Sequence, residues 1–460
     1  MIVPSQYFSR ALIDKYAMSG PRYTSYPTAV EFHHNFYEKD VLQGIKDSDS
    51  SKPLSIYIHI PFCDTLCYYC ACNKVITKDY SKSVEFIKHL KKEISLIAPL
   101  VEGRPVVQMH WGGGTPTFLS NEQIADILQH LDENFSMAKD DDGEFGIEID
   151  PRSASPDRIR KLREVGFNRI SLGVQDVNPV VQKAVHRIQT NEIVEEVLDA
   201  IKNCGFSSTN LDLIYGLPFQ TPTSFDETLD KVIQWHPDRL SVFNYAHLPH
   251  LFMPQNRIEA KDLPKPDEKL VILENAIEKL TKAGYEFIGM DHFALPNDGL
   301  AKAQKNGSLY RNFQGYTTHG ECDLISFGPS AISQIGDVYS QNVKTLDEYY
   351  QQLEQSKLPI WRGLVLDQDD HIRRAAIIQL ICQFELNFKQ FYQNNAVDFK
   401  SYFAEEMHDL EVMQQDDLIN LTDEAIIVNP PGRLLIRNVC MVFDKYLRRM
   451  QDPTAFSKTI

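Results

Sequence analysis

Short apolar runs alternate with amphipathic stretches over the first half of the chain, and together they predict a fold of the α/β class. The predicted strands are Ile56–Ile60, Val106–Trp111, Phe145–Ile149, Arg169–Val174, Ser208–Ile214 and Leu240–Tyr245. The predicted helices between them are Val84–Leu100, Asn121–Phe135, Pro156–Val165, Glu192–Cys204 and Phe225–Trp235. Repeated β/α units favour parallel strands with right-handed crossovers. We therefore expect a partial, TIM-like (β/α)6 barrel whose working residues lie at the carboxyl ends of its strands.

The rest of the chain is predicted to flank this barrel. Residues 1–48 show little periodicity and form an N-terminal arm, residues 49–360 hold the barrel with an extension, and residues 361–460 form a mainly helical C-terminal domain. The arm contains the segment GPRYTSYPT at residues 20–28, where two prolines favour extended backbone. It is either a surface linker or a cover over a site, in which Arg22, Tyr23 and Tyr26 grip a flat anionic ligand.

The second half of the chain is predicted to be helical with irregular connections. Residues 267–284 form a helix that ends at Gly284, and a strand running into a loop follows. Residues 309–328 are rich in Gly, Asn, Gln, Tyr and Thr, which predicts a loop that carries contacts. The remaining predictions are helices at Asp370–Phe384, Phe399–Gln415 and Gly432–Leu447, and a small hairpin at Ile419–Val428.

Charge and composition exclude some classes of partner. The formal net charge is 47 − 63 = −16, which argues against nucleic acid or an anionic membrane as the main partner. In residues 361–460 we count 11 basic and 15 acidic residues, a net charge of −4, so that domain is not expected to read DNA. No apolar run approaches the ~20 residues needed to span a bilayer. An anionic substrate must therefore meet a local concentration of positive charge.

Four of the eight cysteines lie in one loop directly after the first predicted strand. Cys63, Cys67 and Cys70 have the spacing C-x3-C-x2-C, and Cys72 follows. Three thiolates can each hold one iron of a four-iron cluster, whereas full ligation needs four. If Cys72 stays outside the cluster, the fourth iron is open to a small molecule.

Two other interpretations of this loop fit the sequence less well. A disulfide pair is disfavoured because no signal peptide precedes the motif and the remaining cysteines are scattered. A closed zinc site usually draws its ligands as two separated pairs, and no second Cys/His pair follows at that spacing. The cysteine usage indicates a reducing compartment, so we expect a cytoplasmic protein.

The loop and the strand ends resemble the radical S-adenosylmethionine (SAM) superfamily. The resemblance narrows to the oxygen-independent coproporphyrinogen III oxidases and covers nearly the whole chain. It rests on matched segments in order, which are PRYTSYPT, YIHIPFC, CYYCACNK, HWGGGTPT, EIDPR, SLGVQD, HRIQ, DLIYGLP, NYAHLP, GMDHFA, RNFQGYTT and GRLLIRN. Related haem chaperones typically lack the PRYTSYPT arm and carry another residue at position 72.

The resemblance implies a [4Fe-4S] cluster on Cys63, Cys67 and Cys70 and two SAM molecules side by side. The positions matching contacts to the first SAM are Tyr57, Gly113, Glu148 and Ile332. The positions matching contacts around the second are Tyr69, Gly114, Thr115, Gln175, Arg187, Asp212 and Ala246. Position 69 is usually phenylalanine in the family, and Tyr69 adds a hydroxyl. Tyr57, Cys72 and Gln314 are the candidate catalytic residues.

The family's chemistry is oxidative decarboxylation of two propionates of coproporphyrinogen III to vinyl groups, giving protoporphyrinogen IX in haem biosynthesis. The resemblance implies that SAM is split to a 5′-deoxyadenosyl radical, which removes a propionate hydrogen. Arg22, Arg187 and Arg311 are candidate partners of the substrate carboxylates, because a guanidinium binds a carboxylate bidentately. We expect a tetrapyrrole substrate, a low-potential donor such as flavodoxin or ferredoxin, and a monomer. A haem chaperone and another radical SAM tetrapyrrole enzyme remain alternatives.

Overall fold

The computed structural model describes residues 7–139, 141–450, 456, 458 and 459. This part of the chain divides into two compact units that are each assembled from separated segments. One unit, called here the barrel unit, contains Phe32–Lys265 and Glu321–Val365. The other, called here the helical unit, contains the described residues up to Glu31, Pro266–Gly320 and the residues from Leu366 onward.

A parallel sheet forms the centre of the barrel unit. Its strands are β1 Leu54–Ile60, β2 Pro105–Gly113, β3 Glu144–Ile149, β4 Arg169–Gln175, β5 Ser208–Tyr215, β6 Arg239–Asn244 and β7 Asp323–Phe327. Their order across the sheet is β6, β5, β4, β3, β2, β1, β7, and every neighbouring pair in this series is parallel. The predicted α/β fold with six parallel β/α units is therefore confirmed.

The helices between these strands follow the predicted pattern. The longer ones bury apolar residues on one face, as amphipathic helices on a sheet do, for example Ile124, Ile127 and Leu131 of Asn121–Asn134. Several begin with a side-chain cap: Ser120 accepts from the backbone N–H of Gln123, and Thr221 accepts from that of Ser224. The helices of the barrel unit are Glu38–Asp47, Lys82–Ile97, Asn121–Asn134, Pro156–Glu164, Pro179–Ala184, Asn191–Cys204, Pro222–Trp235 and Leu346–Glu354.

Strand β7 differs from the sequence-based expectation. Residues 309–328 were predicted to be a loop, but Asp323–Phe327 is a fully buried strand that pairs in parallel with β1. The chain then continues through three antiparallel strands, β8 Ile332–Ile335, β9 Val338–Asn342 and β10 Ile360–Val365. Strand β1 thus has a parallel neighbour on each side, and six of its seven residues are buried.

The helical unit packs around the helix Gln368–Gln383, whose residues Ala376, Ile377 and Leu380 are fully buried. The predicted helix at 399–415 is two helices that meet at Phe403, and the one at 432–447 is also broken. Residues 285–294, predicted to be a strand running into a loop, instead form the antiparallel pair Glu286–Gly289 and His292–Ala294. The predicted hairpin is the antiparallel pair Ile419–Leu421 and Ala425–Val428. The other helices are Arg10–Tyr16, Pro266–Lys282, Gly299–Lys305, Phe388–Asn395, Phe399–Tyr402, Ala404–Gln415, Pro430–Leu434 and Ile436–Met441.

The proline-bounded segment of the arm is part of the helical unit's core. Tyr23 is 1% exposed and its hydroxyl donates to Asp444 at 3.0 Å, and Tyr26 is fully buried and accepts from the backbone N–H of Lys445 at 3.1 Å. The surface-linker interpretation of this segment is therefore wrong. Grip on a ligand by Tyr23 and Tyr26 is also contradicted, because both rings are enclosed by protein.

Among the described residues, no helix combines the length and the apolar character needed to cross a membrane.

Candidate active site

The cysteine loop is fixed at the carboxyl ends of β1 and β2. Residues Phe62–Cys63 form a short parallel pair with Val75–Ile76, which closes the loop at its base. Backbone N–H groups of Gly114 and Thr115 donate to the carbonyls of Ile60 and Phe62 at 2.7 and 2.8 Å. These contacts hold the cysteines beside the glycine-rich end of β2.

The three cysteine sulfurs of the predicted cluster lie among hydrogen-bond donors. The Thr115 hydroxyl is 3.4 Å from the Cys63 sulfur. The Cys67 sulfur lies 3.5 Å from Arg187 Nη1 and 3.7 Å from Arg152 Nη2. Such donors stabilise negative sulfur, which is the form that binds iron.

The pKa values of the loop thiols are moved apart by their surroundings. Burial raises the pKa of Cys63 to about 11, although Thr115 opposes the shift. A hydrogen bond from the Cys72 thiol lowers the pKa of Cys70 to about 6. Lys74 Nζ adds positive charge nearby by donating to the carbonyls of Cys70 and Cys72 at 3.1 and 3.3 Å. Metal binding requires the thiolates, and these surroundings favour the thiolate at Cys70 and disfavour it at Cys63 and Cys72.

Three glycines at the end of β2 stand where a side chain would collide with neighbouring protein atoms. A Cβ on Gly112 would lie 2.8 Å from Glu148 Oε1, and one on Gly114 would lie 2.6 Å from the carbonyl oxygen of Phe62. Gly113 has φ +105, and its Cβ would lie 2.6 Å from the His59 ring. The strand end therefore forms a cradle of bare backbone, which suits the close approach of a ligand.

A row of polar side chains crosses the sheet next to this cradle. Tyr57 stacks on His110 with ring centroids 6.2 Å apart, and His110 Nε2 contacts Glu148 Oε1 at 3.2 Å. Farther along, Ser171 and Asn210 donate to Asp212 at 3.1 and 2.8 Å. These residues come from β1 to β5, so the parallel sheet brings together groups that are far apart in the sequence.

Asp212 in this row and Asp150 beside the cysteine loop differ in acidity. Burial, assisted by the negative charge of Glu148, raises the pKa of Asp212 to about 6. For Asp150 burial acts upward, but Arg187 and Arg152 outweigh it and lower its pKa. Burial also lowers the pKa of His59, which keeps that imidazole neutral. Asp150 is thus a fixed anion beside the cluster loop.

Arg187 is buried, and its guanidinium already donates hydrogen bonds to two protein oxygens. Its Nη1 donates to Asp150 at 3.0 Å and its Nη2 donates to the carbonyl of Gly173 at 2.5 Å. These bonds make it a support for the loop and for the end of β4, and they weigh against the expectation that it binds a substrate carboxylate.

The remaining predicted site residues lie at strand ends or on adjoining loops. Gln175 ends β4 with φ +68, and its Oε1 is buried without a hydrogen-bond partner among the described residues. Tyr69 accepts from Gln255 Nε2 at 3.0 Å through its carbonyl, Ala246 is exposed just beyond β6, and Ile332 begins β8. The barrel unit thereby holds every predicted cofactor residue.

Gln314 and two of the arginines belong to the helical unit. Gln314 lies in the turn between Tyr310–Asn312 and Gly315–Thr317, and its Nε2 is buried without a described partner. Arg22 forms an ion pair with Asp291. Arg311 is 3% exposed and packs over the Tyr316 ring at 4.7 Å.

Sequence reasoning missed His110, Asp150 and Arg152 as site residues. His110 lies two residues before Gly112 on β2 and therefore faces the same side of the sheet, which is a signal that the sequence does contain. Asp150 and Arg152 lie in the matched segment EIDPR directly after β3, where working residues were expected.

The donor set fits the cluster and SAM that the resemblance implies. Three thiols lie on one loop, N–H and O–H donors surround their sulfurs, and the adjoining cradle has no room for a Cβ. The buried, unpartnered Gln175 Oε1 is an acceptor that a bound ligand can satisfy.

Comparisons with known proteins agree with this arrangement. The Radical SAM superfamily matches residues 57–232, and the HemN C-terminal domain matches residues 366–435. An oxygen-independent coproporphyrinogen III oxidase of Pseudomonas aeruginosa is 54% identical over 451 residues, which cover 98% of each chain. One of Escherichia coli strain K12 is 50% identical over 450 residues, again 98% of each. The solved structure of coproporphyrinogen III oxidase (HemN) from Escherichia coli, described as a radical SAM enzyme, covers 96% of this chain and 100% of its own, with 49% identity and a TM-score of 0.92.

Proposed function

Since the chain belongs to the oxygen-independent coproporphyrinogen III oxidases, which are radical SAM enzymes, we propose that it decarboxylates coproporphyrinogen III to protoporphyrinogen IX in haem biosynthesis. Two propionate side chains each lose one hydrogen atom, one electron and carbon dioxide and become vinyl groups. The observation that carries the proposal is the junction of the three-cysteine loop with the polar row of the sheet. The alternatives are a haem chaperone, which has a cluster but no decarboxylase activity, and another radical SAM tetrapyrrole enzyme, whose substrate would be haem.

Cys63, Cys67 and Cys70 would hold the [4Fe-4S] cluster and Cys72 would stay outside it. The cluster would supply one electron and SAM the 5′-deoxyadenosyl group, and together they would provide a radical that can remove hydrogen from an unactivated carbon. Thr115, Arg152 and Arg187 donate hydrogen bonds to the cysteine sulfurs and so set their charge and orientation. Because Cys72 would not bind iron, its thiol would be available for a catalytic role near the substrate.

We assign a first SAM molecule to Tyr57, Gly113, Glu148 and Ile332. Glu148 is half-exposed at the end of β3 and supported by His110, so its carboxylate can accept from ribose hydroxyls. Gly113 offers bare backbone. Tyr57 has its pKa raised by burial, so its phenol stays protonated and can donate a hydrogen bond. Its position between His59 and His110 makes it a candidate catalytic residue as well.

A second SAM molecule would lie against the neighbouring strand ends. Tyr69, Gly114, Thr115, Gln175, Arg187, Asp212 and Ala246 are the residues that would surround it. The unpartnered Oε1 of Gln175 supports this assignment, because an ammonium group can donate to it. Asp212, whose pKa is about 6, offers a carboxylate that gains from a cationic neighbour.

The substrate carboxylates need cations that an acidic chain must concentrate locally. Arg311 is the strongest candidate, since it is buried with its Nη1 unpartnered among the described residues. Arg22 is a second one, held by Asp291. Gln314, with a buried and unpartnered amide nitrogen, is a candidate catalytic residue on the substrate side. We assign the helical unit, which holds these three residues, to substrate binding.

We further propose that the protein takes its electrons from a low-potential one-electron donor such as flavodoxin or ferredoxin. We also propose that it is a monomer and that it is cytoplasmic. Cytoplasmic location follows from the need to keep the cysteine ligands reduced.

Anaerobic turnover separates the proposed function from its alternatives. Reconstituted protein, SAM and dithionite are incubated with either coproporphyrinogen III or haem, and porphyrin products are identified by mass after oxidation. We expect successive loss of two carboxyl groups from coproporphyrinogen III and no change in haem. Turnover of haem alone, or of neither compound by protein with a full cluster, would overturn the proposal.

A further inference from the structure

Two segments of the barrel unit contain no acidic residue. Residues 177–190 and residues 239–258 lack Asp and Glu, although the whole chain has 63 of them among 460 residues. Lys183 and Arg257 in these segments are exposed. These two segments, called here the positive region, therefore carry only basic charges in a chain whose net charge is −16.

Both segments are fastened to the cysteine loop on either side of Cys67. His186 Nδ1 lies 2.8 Å from the carbonyl oxygen of Leu66, and the backbone N–H of Tyr68 donates to the carbonyl of Val185 at 3.0 Å. Gln255 Nε2 donates to the carbonyl of Tyr69 at 3.0 Å. The positive region is thus joined to the backbone that carries a predicted cluster ligand.

The Tyr68 ring connects the two segments at the surface. It stacks on the His186 ring with centroids 5.0 Å apart and an interplanar angle of 10°. The Arg257 guanidinium carbon lies 5.0 Å from the Tyr68 ring centroid. We call Tyr68, Lys183, His186 and Arg257 the cationic platform.

Large apolar side chains are exposed in the same two segments. Val180 is 60% exposed and Ile188 64%, while Leu251 is 61% and Met253 81% exposed. Exposed apolar groups mixed with charge of one sign are typical of protein interaction sites. The combination favours a protein partner of the opposite charge.

We propose that the cationic platform is the docking site for the electron donor, an acidic one-electron carrier protein that holds a flavin or an iron–sulfur group. This inference rests on the proposed function, which requires one electron for each SAM molecule cleaved. The reduced carrier loses one electron and the cluster gains it, and no atom is exchanged. Charge complementarity would steer the carrier to the platform, and Tyr68 adjoins Cys67 in the chain, so the docked carrier is brought to the cluster.

The test compares two double charge reversals of equal net charge. Lys183→Glu/Arg257→Glu removes both exposed cations of the platform. Lys39→Glu/Lys46→Glu is the control, because both lysines are exposed on the helix Glu38–Asp47. The control lysines lie elsewhere in the barrel unit, because Gly44 of their helix packs against Val338 of β9. The platform residues, by contrast, lie in the segments that follow β4 and β6 and in the cysteine loop. None of the four residues belongs to the proposed cofactor or substrate sites.

Cluster reduction is followed by the loss of visible absorbance when anaerobic holoenzyme is mixed with photoreduced flavodoxin or with dithionite. At low salt we expect flavodoxin to reduce the platform variant at least about tenfold more slowly than wild type and control. Dithionite should reduce all three at rates within about twofold. Added salt should slow flavodoxin reduction of wild type and leave the platform variant almost unchanged.

Several outcomes would overturn the proposal. They are flavodoxin reduction of the platform variant at the control rate, equal slowing with dithionite, and wild-type protein that holds no cluster after reconstitution. Weaker coproporphyrin binding with unchanged flavodoxin reduction would show that the platform faces the substrate instead. The proposed function fails separately, when dithionite-reduced wild type does not convert coproporphyrinogen III, since the reduction rates can still be measured.

Discussion

Cys72 lies two residues from Cys70, and the two thiols are hydrogen-bonded neighbours with opposite pKa shifts. Only Cys70 is expected to bind iron. We predict that Ala at Cys63, Cys67 or Cys70 abolishes the visible absorbance and most bound iron, because each thiolate is a full ligand. Cys72→Ala should retain both. Iron content and the absorption spectrum after anaerobic reconstitution give the answer, and a cluster lost in Cys72→Ala but kept in Cys63→Ala would refute the assignment.

Arg152 Nη2 lies 3.7 Å from the Cys67 sulfur. Its Nε donates to both oxygens of the Asp150 carboxylate at 3.0 and 3.2 Å, which holds the side chain in place. A hydrogen bond to a cluster thiolate stabilises the more negative, reduced state. We predict that Arg152→Gln lowers the midpoint potential by on the order of tens of millivolts, with iron content unchanged. The control is Arg160→Gln, whose side chain is 59% exposed and pairs with Asp157. Equal potentials in a spectroscopic redox titration would contradict this role for Arg152.

The sequence predicted which residues belong to the site better than it predicted which residues they contact. The three cysteines lie close together in the sequence and the three glycines are consecutive, so each motif can be recognised from the sequence alone. Arg152 and Cys67, by contrast, are brought together across 85 positions of chain, and nothing local to either residue encodes that contact. The engagement of Arg187 by Asp150 and Gly173 is likewise visible only in three dimensions.

At the scale of elements, the cradle at the end of β2 depends on a residue without a side chain. Gly113 and Gly166 have nearly the same backbone angle, φ +105 and +107, but a Cβ on Gly166 would meet nothing within 4 Å. Alanine therefore causes similar backbone strain at both positions and a clash with His59 only at 113. We predict that Gly113→Ala loses at least tenfold in SAM affinity, equivalent to about 1.4 kcal/mol, and that Gly166→Ala does not. Equilibrium binding of SAM to cluster-loaded protein checks this, and equal losses would assign the effect to strain alone.

Strands and helices of the β/α units were predictable because their periodicity agrees with their burial. Strand β7 was not, because its five residues lie in a stretch rich in Gly, Asn, Gln, Tyr and Thr, and only pairing with β1 makes them a strand. The arm shows the same limit. Its two tyrosines stand between prolines without periodicity, and their burial comes from distant parts of the chain, at Asp444 and Lys445.

At the scale of the whole molecule, the proposed cofactor residues all belong to the barrel unit and Arg22 belongs to the helical unit. We predict that Arg22→Ala keeps cluster absorbance and SAM cleavage but loses most decarboxylation, because it removes a cation from the unit assigned to the substrate. The measurement is the ratio of deoxyadenosine to vinyl product. Arg10→Ala is the control, since Arg10 forms an exposed ion pair with Asp267 in the same unit. A wild-type ratio in Arg22→Ala would show that this residue does not serve the substrate.

Under the proposed function, this chain converts propionates to vinyl groups by removing a hydrogen atom from the β-carbon with a radical derived from SAM. The most direct measurement uses coproporphyrinogen III deuterated at the propionate β-carbons, with anaerobic, reduced protein and unlabelled SAM. Mass spectrometry of 5′-deoxyadenosine then reports where the hydrogen went. We predict one deuterium atom in the deoxyadenosine formed with each vinyl group, and no vinyl product from Cys63→Ala. Vinyl product accompanied by unlabelled deoxyadenosine, or formed without SAM, would contradict this function.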